Sequence, residues 1–140
     1  MTIFSKISLV RVLSAACLGL ATQSAVAHHS FAAYNMAEVK AVDGTLKQFR
    51  WGAPHSSLVL YFQNEAGEKE QMSIVSGSPL MFSKQGFNPR DFRSGEKVSV
   101  TYHPNVNGKP GGALSTITLP NGQTFSDTEA ASAAPPPTAD

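Results

Sequence analysis

The most informative part of the chain for its fold is residues 39–51, which read VKAVDGTLKQFRW. This stretch is rich in residues that favour β-strands. Val42 and Leu46 fall on one face of such a strand, whereas the next apolar residue, Phe49, falls on the opposite face. A phase change inside one strand is typical of a bulge or a sharp coil, for which Gly44 offers a nearby pivot. We therefore predict a long first strand with a bend in it.

The remaining elements follow from alternation and capping. Alternating apolar and polar side chains predict four more strands, at residues 58–62, 69–75, 98–102 and 113–119. Ser78 is a good N-cap, Pro79 suits a first helical position and Gly86 suits a helix end, so a short helix is predicted between strands three and four. The order β-β-β-α-β-β predicts an all-β domain with one short helix, a small five-stranded Greek-key barrel of the oligonucleotide/oligosaccharide-binding (OB) type. A plain antiparallel sandwich is the alternative.

The core of such a barrel consists of the inward positions of its strands. These positions are predicted to be Leu58, Leu60, Phe62, Ile74, Val98, Val100 and Ile117. Three further aromatic residues either belong to the same core or form a platform for a sugar or a peptide: Trp51, Tyr61 and Tyr102.

The first 27 residues have the features of a cleavable export signal. Lys6 and Arg11 supply positive charge, and a short apolar stretch follows at residues 12–21. Residues 25–27, Ala-Val-Ala, then match the small-x-small pattern of signal peptidase sites. We therefore predict a periplasmic protein whose mature chain begins at His28.

The predicted organisation has three parts. Residues 1–27 form the signal peptide, and residues 28–125 form the OB-like barrel domain with an amino-terminal lead at 28–38. Residues 126–140 are rich in Ala and Pro and have little to bury, so they are predicted to be a disordered tail. No apolar run after the signal is long enough to span a membrane.

Composition excludes several classes of function. The 140 residues include 11 Lys and Arg against 10 Asp and Glu, with no basic block that would favour nucleic acid as a partner. The single cysteine, Cys17, lies inside the predicted signal and cannot form an internal disulfide or a Cys-rich zinc site. The sequence contains no nucleophile elbow or Gly-rich phosphate loop, so a non-enzymatic protein is expected.

Histidines are the strongest candidates for a chemical role, and neutral imidazole is a good ligand for copper. The four candidate metal ligands are His28, His29, His55 and His103. A mature chain that begins at His28 could chelate one Cu(II) ion with its free amine and its imidazole ring, and His55 or His103 could complete the site. The alternative is that all four are ordinary loop or surface residues.

Several short motifs in this order resemble a family of small exported bacterial proteins known as domain of unknown function family 6152. The motifs are HHSFAA at 28–33, W-x-x-P-H at 51–55, GSP at 77–79 with GF at 86–87, GEKV at 95–98 and LPNG at 119–122. The resemblance covers about residues 28–125 and implies an exported small domain without an established reaction. Ala53 stands where the family usually has Asn.

Three functional hypotheses follow from these features. The first is an exported periplasmic binding module without enzymatic activity that binds copper through its histidines. The second is a metal-free accessory or interaction protein that binds an envelope protein or peptide with its barrel face. The third is an enzyme with a histidine-bound metal.

Overall fold

A computed structural model describes residues 31–136. The predicted signal peptide, His28 and His29 lie outside this range. The strands are β1 (Lys40–Arg50), β2 (Ser57–Gln63), β3 (Lys69–Val75), β4 (Lys97–Pro104), β5 (Gly111–Thr118) and β6 (Thr124–Ser126). The helices are α1 (Pro79–Lys84) and α2 (Thr128–Ala133), and Pro89–Asp91 form a single 3₁₀ turn.

Five of the strands close into a barrel, which confirms the predicted OB-type fold. The sheet order is β3-β2-β1-β4-β5, and a short parallel pairing of β3 with β5 joins its two ends. In that pairing Ser73–Val75 lie beside Gly111–Ala113. The carboxyl-terminal part of β5 pairs instead with β6, which lies outside the closed ring.

The long first strand is bent as its sequence indicates. The register between β1 and β2 shifts between Leu46 and Gln48, which is the irregularity that the change of apolar phase predicts. Gly44 lies close to the end of the β1–β2 pairing, because a Cβ atom there would be 2.8 Å from the carbonyl oxygen of Tyr61. β1 can therefore pair with β4 along its first half and with β2 along its second half.

Two consecutive glycines allow the barrel to close. A Cβ atom on Gly111 would overlap the carbonyl oxygen of Ser73, and its φ of +119° is in the region that favours glycine. A Cβ atom on Gly112 would overlap the carbonyl oxygen of His103. β5 can thus lie close to both β3 and β4 because these positions have no side chain.

The predicted core residues are buried, except that Phe62 is half-buried and packs against the core. Trp51 and Tyr102 also pack in or against this core. Phe82 of α1 lies fully buried on Phe125 of β6, with ring centroids 3.7 Å apart. The short helix therefore contributes to the core across one end of the strands.

The predicted disordered tail from residue 126 is wrong for the part that the structure describes. Asp127 is buried, and its side chain accepts hydrogen bonds from the backbone N–H groups of Glu129 and Ala130, which makes it the N-cap of α2. It also accepts from Ser76 Oγ at 3.2 Å and from Gly77 N at 2.8 Å. These contacts attach α2 to the end of β3, so the folded domain extends beyond residue 125.

Candidate functional site

His103 is the candidate histidine with the most specific environment. It lies near the end of β4 and is only 2% exposed, whereas the sequence suggests a position at the start of a flexible loop. Its Nδ1 is 2.9 Å from the carbonyl oxygen of Glu38. A carbonyl oxygen only accepts hydrogen bonds, so Nδ1 is the donor, and in the neutral ring Nε2 is the unprotonated nitrogen.

The amino-terminal lead lies against the same end of the barrel. Backbone N–H groups of Asn35 and Val106 donate to the carbonyl oxygens of Pro104 and Ala33, at 2.8 and 3.0 Å. Tyr34 forms an isolated β-bridge with Asn105 between these bonds. The lead is therefore paired with the first residues of the β4–β5 loop, next to His103.

Aromatic packing and burial reinforce this arrangement. The ring of Phe31 packs edge-on against that of Tyr34, with centroids 6.5 Å apart. Tyr34 is half-buried, and this burial raises the pKa of its phenol above the ordinary value of 10.0. Burial of the phenol thus favours its neutral form in the folded chain.

His55 is placed differently from His103. It is exposed in the loop between β1 and β2, just after the cis Ala53–Pro54 peptide bond. His103 of β4 pairs with Ala113 of β5, which pairs with Val75 of β3. Val75 in turn pairs with Ser57 of β2, two residues after His55. This path crosses three strand spacings of about 4.8 Å, or roughly 14 Å along the barrel wall. The structure thus does not bring His55 and His103 together.

Among residues 31–136, no group of three His, Cys, Asp or Glu side chains could hold a metal ion by itself. Two of the predicted ligands, His28 and His29, lie outside the described residues, so this search does not test a centre that includes them. Neither helix in the described part of the chain is long and apolar enough to cross a membrane.

The three aromatic residues considered as a platform are not on one face. Trp51 and Tyr102 pack with the core, whereas Tyr61 lies on the outer face of β2. The ammonium groups of Lys69 and Lys47 lie 4.1 and 5.2 Å from the centroid of its ring. Sequence reasoning did not single out these lysines, because the contact depends on the pairing of three strands.

The backbone of the lead is the other feature that sequence reasoning missed. The carbonyl group of Glu38 contacts His103, and the N–H group of Asn35 contacts Pro104. Every residue has such main-chain groups, so the residue types do not indicate which of them make contacts. The only available signal was the position of Glu38 in the chain, two residues before β1, because β1 pairs with β4.

Comparisons with known proteins give a family and a similar solved structure. No curated protein matches the chain. A solved structure of the N-terminal domain of PriB protein from Thermoanaerobacter tencongensis, described as dimeric, is similar with 12% identity and a TM-score of 0.37, over 58% of this chain and 93% of that one. A family of unknown function, DUF6152, matches residues 16–115. Because that match covers most of the chain, the protein belongs to the DUF6152 family, as the motifs of its sequence indicate.

Proposed function

We propose that this protein is exported to the periplasm, is cleaved after Ala27, and binds Cu(II) through its new amino terminus without acting as an enzyme. The observation that carries the proposal is the hydrogen bond from His103 Nδ1 to the Glu38 carbonyl. Metal-ligating histidines usually donate their second ring N–H to a carbonyl or a carboxylate, which orients the ring and leaves the other nitrogen free to bind. His103 is held in this way beside the lead.

Chain length supports a site at this position. His28 precedes Phe31 by three residues, a chain length of at most about 11 Å. The lead from Phe31 onward is held against the β4–β5 loop by its backbone bonds. We therefore propose that the amine and the ring of His28, together with His29, are the ligands that join His103 at the copper ion. His55 is on another part of the barrel wall and is not needed.

The chemistry of an amino-terminal histidine suits Cu(II). The amine and the ring nitrogen of one residue can bind the same ion, and nitrogen ligands favour copper among the divalent metals. An amine with a pKa of about 7.7–8.0 has a useful neutral fraction near neutral pH. Protons compete for both groups in acid, so Cu(II) binding is expected to weaken below about pH 6.

The competing hypothesis is a metal-free interaction protein of the cell envelope. Metal analysis of protein purified from the periplasm with its native amino terminus separates the two, because only the first predicts bound copper. The third hypothesis, a histidine-metal enzyme, requires turnover of a redox substrate by the copper-loaded protein.

The proposal is tested by Cu(II) titration of the mature chain and of two single variants. His103→Ala removes the ligand that the barrel contributes and is expected to weaken binding by at least about tenfold. His55→Ala is the matched control and is expected to bind Cu(II) as the parent does. Equal affinities of the parent and His103→Ala, with both chains folded by circular dichroism, would exclude His103 from the site.

A further inference from the structure

A groove of about 660 Å³ opens where β1 and the β2–β3 hairpin separate. The pairing of β2 with β1 ends at Tyr61 opposite Thr45, although both strands continue past this pair. One wall of the groove is residues 41–44 of β1, and the other includes Phe62 and Gln63 of β2. Its volume lies in the range of about 300–1,000 Å³ found for ligand clefts in proteins.

The β1 wall presents unpaired backbone groups. Leu46 donates to the Glu96 carbonyl and accepts from the Gly95 N–H, so both of its backbone groups point toward β4. Backbone direction alternates along a strand, so the N–H and C=O groups of Ala41 and Asp43 point the other way, into the groove. Within residues 31–136, the β1–β2 pairing gives these two residues no partner strand. The wall is therefore an open sheet edge.

Side chains at the groove divide between the two faces of the sheet. Val42 and Phe62 are half-buried on the inner face and pack against the core. Lys69 and Lys97 are exposed and line the groove, and Asp43, which accepts a hydrogen bond from Ser99, is the one acidic lining residue.

Both lysines are held in place without an acidic partner. Lys97 Nζ donates to Thr45 Oγ1 at 2.8 Å, and Lys69 Nζ lies 4.1 Å from the centroid of the Tyr61 ring. The ion pair found in the described part of the chain instead joins Lys40 to Glu38. Two oriented ammonium groups are thus available to an anionic ligand.

We propose that this groove binds an extended peptide that adds a strand to the edge of β1. Main-chain hydrogen bonds to Ala41 and Asp43 would supply affinity, as in other complexes formed by strand addition. Successive side chains of an added strand point to opposite faces. The peptide would therefore alternate small apolar residues, which pack on Val42 and Phe62, with acidic residues, which meet Lys69 and Lys97.

The direct test uses three short synthetic peptides with capped ends and a fluorescence anisotropy readout. One alternates valine with glutamate, the second has the same sequence with N-methylated amides on one edge, and the third alternates valine with lysine. Binding of the first alone is expected. An N-methylated peptide that binds as tightly as its parent would overturn the proposal, because it cannot donate those main-chain hydrogen bonds.

Variants of the protein locate the binding. Ala41→Pro removes one N–H that points into the groove while leaving the β1–β4 ladder, and is expected to weaken binding about three- to tenfold. Lys69→Glu leaves the backbone unchanged and is expected to have an effect of similar size. Lys84→Glu reverses an exposed lysine at the end of α1, away from the groove, and should leave the affinity within about twofold.

Two other results would contradict the proposal. If Lys84→Glu weakens binding as much as Lys69→Glu, the peptide is held by net charge and not by the groove. If the protein alone forms a dimer in sedimentation that Ala41→Pro dissociates, the edge is occupied by a second copy of the chain. Neither result depends on copper, so this test is independent of the proposed metal site.

Discussion

Tyr34 shows how a single residue can report whether the lead is docked. Burial raises the pKa of its phenol above 10.0, so the folded chain binds the phenolic proton more tightly than the unfolded chain. The resulting stabilisation is fully present below pH 10 and is lost as the pH rises through the raised pKa. We expect the urea midpoint of the parent protein to fall more steeply above pH 10 than that of Tyr34→Phe. Parallel pH profiles would show that the phenol is not buried.

Asp127 is the residue whose removal we expect to be most informative about the carboxyl-terminal segment. Asp127→Ala removes the N-cap of α2 and leaves the buried N–H of Gly77 without its acceptor. We expect the free energy of unfolding to decrease by about 2–4 kcal/mol, measured by urea denaturation. Glu129→Gln, an exposed position in the same helix, should change it by less than about 0.5 kcal/mol. Equal effects of the two variants would contradict this role.

The sequence predicts the burial of some side chains and not of others, and the difference has a physical reason. Leu58, Leu60 and Val100 are inward because strand alternation is local, and the structure buries them. The burial of His103 depends on a lead that is far away in sequence, since its partner Glu38 is 65 positions earlier. No local pattern carries such a contact.

A strand or helix could be predicted where the residues that specify it all lie within or beside that element. The bend of β1 follows from its own apolar phase, and α1 follows from Pro79 and Gly86. Ser78 occupies the N-cap position of α1 as predicted, but its side chain makes no capping hydrogen bond. α2 was missed because its sequence, TEAASA, has too few apolar residues to indicate packing. Its place in the fold depends on Asp127 and on the burial of Ala130, both set by contacts with distant residues.

Truncation tests whether the carboxyl-terminal segment is a disordered tail or a part of the folded domain. A chain that ends at Ser126 loses Asp127 and all of α2, so its free energy of unfolding should decrease by at least as much as in Asp127→Ala, about 2–4 kcal/mol. A chain that ends at Ala134 keeps the N-cap and the last helical bond, from Ala134 N to Ala130 O, and should unfold like the parent. If ending the chain at Ser126 has no effect on its urea midpoint, α2 does not stabilise the domain.

The whole barrel depends on the closure at β5. Gly112→Ala would place a methyl group on the carbonyl oxygen of His103, so the backbone of β4 or β5 must shift to admit it. We expect a loss of more than about 3 kcal/mol in the free energy of unfolding. Gly52→Ala is the control, because its nearest neighbour is the flexible Arg50 side chain at 3.4 Å, and it should be tolerated. A Gly112→Ala protein as stable as this control would show that the two strands are not so close.

The closed barrel also explains how the copper and peptide proposals can coexist on one small domain. The lead lies at the end of β4, where His103 and the β4–β5 loop are found. The open edge lies on the other side of β1, which faces the β2–β3 hairpin. The two proposals therefore use different residues and opposite edges of β1.

The most direct test of the copper proposal is the Cu(II) affinity of the mature protein with its amino terminus acetylated. Acetylation removes the amine as a ligand while leaving every side chain unchanged, and it creates no new free amine beside His28 and His29. The proposal predicts a clear loss of affinity relative to the native amino terminus, because the two nitrogens of His28 no longer form one chelate. An acetylated protein that binds Cu(II) as tightly as the native chain would contradict it.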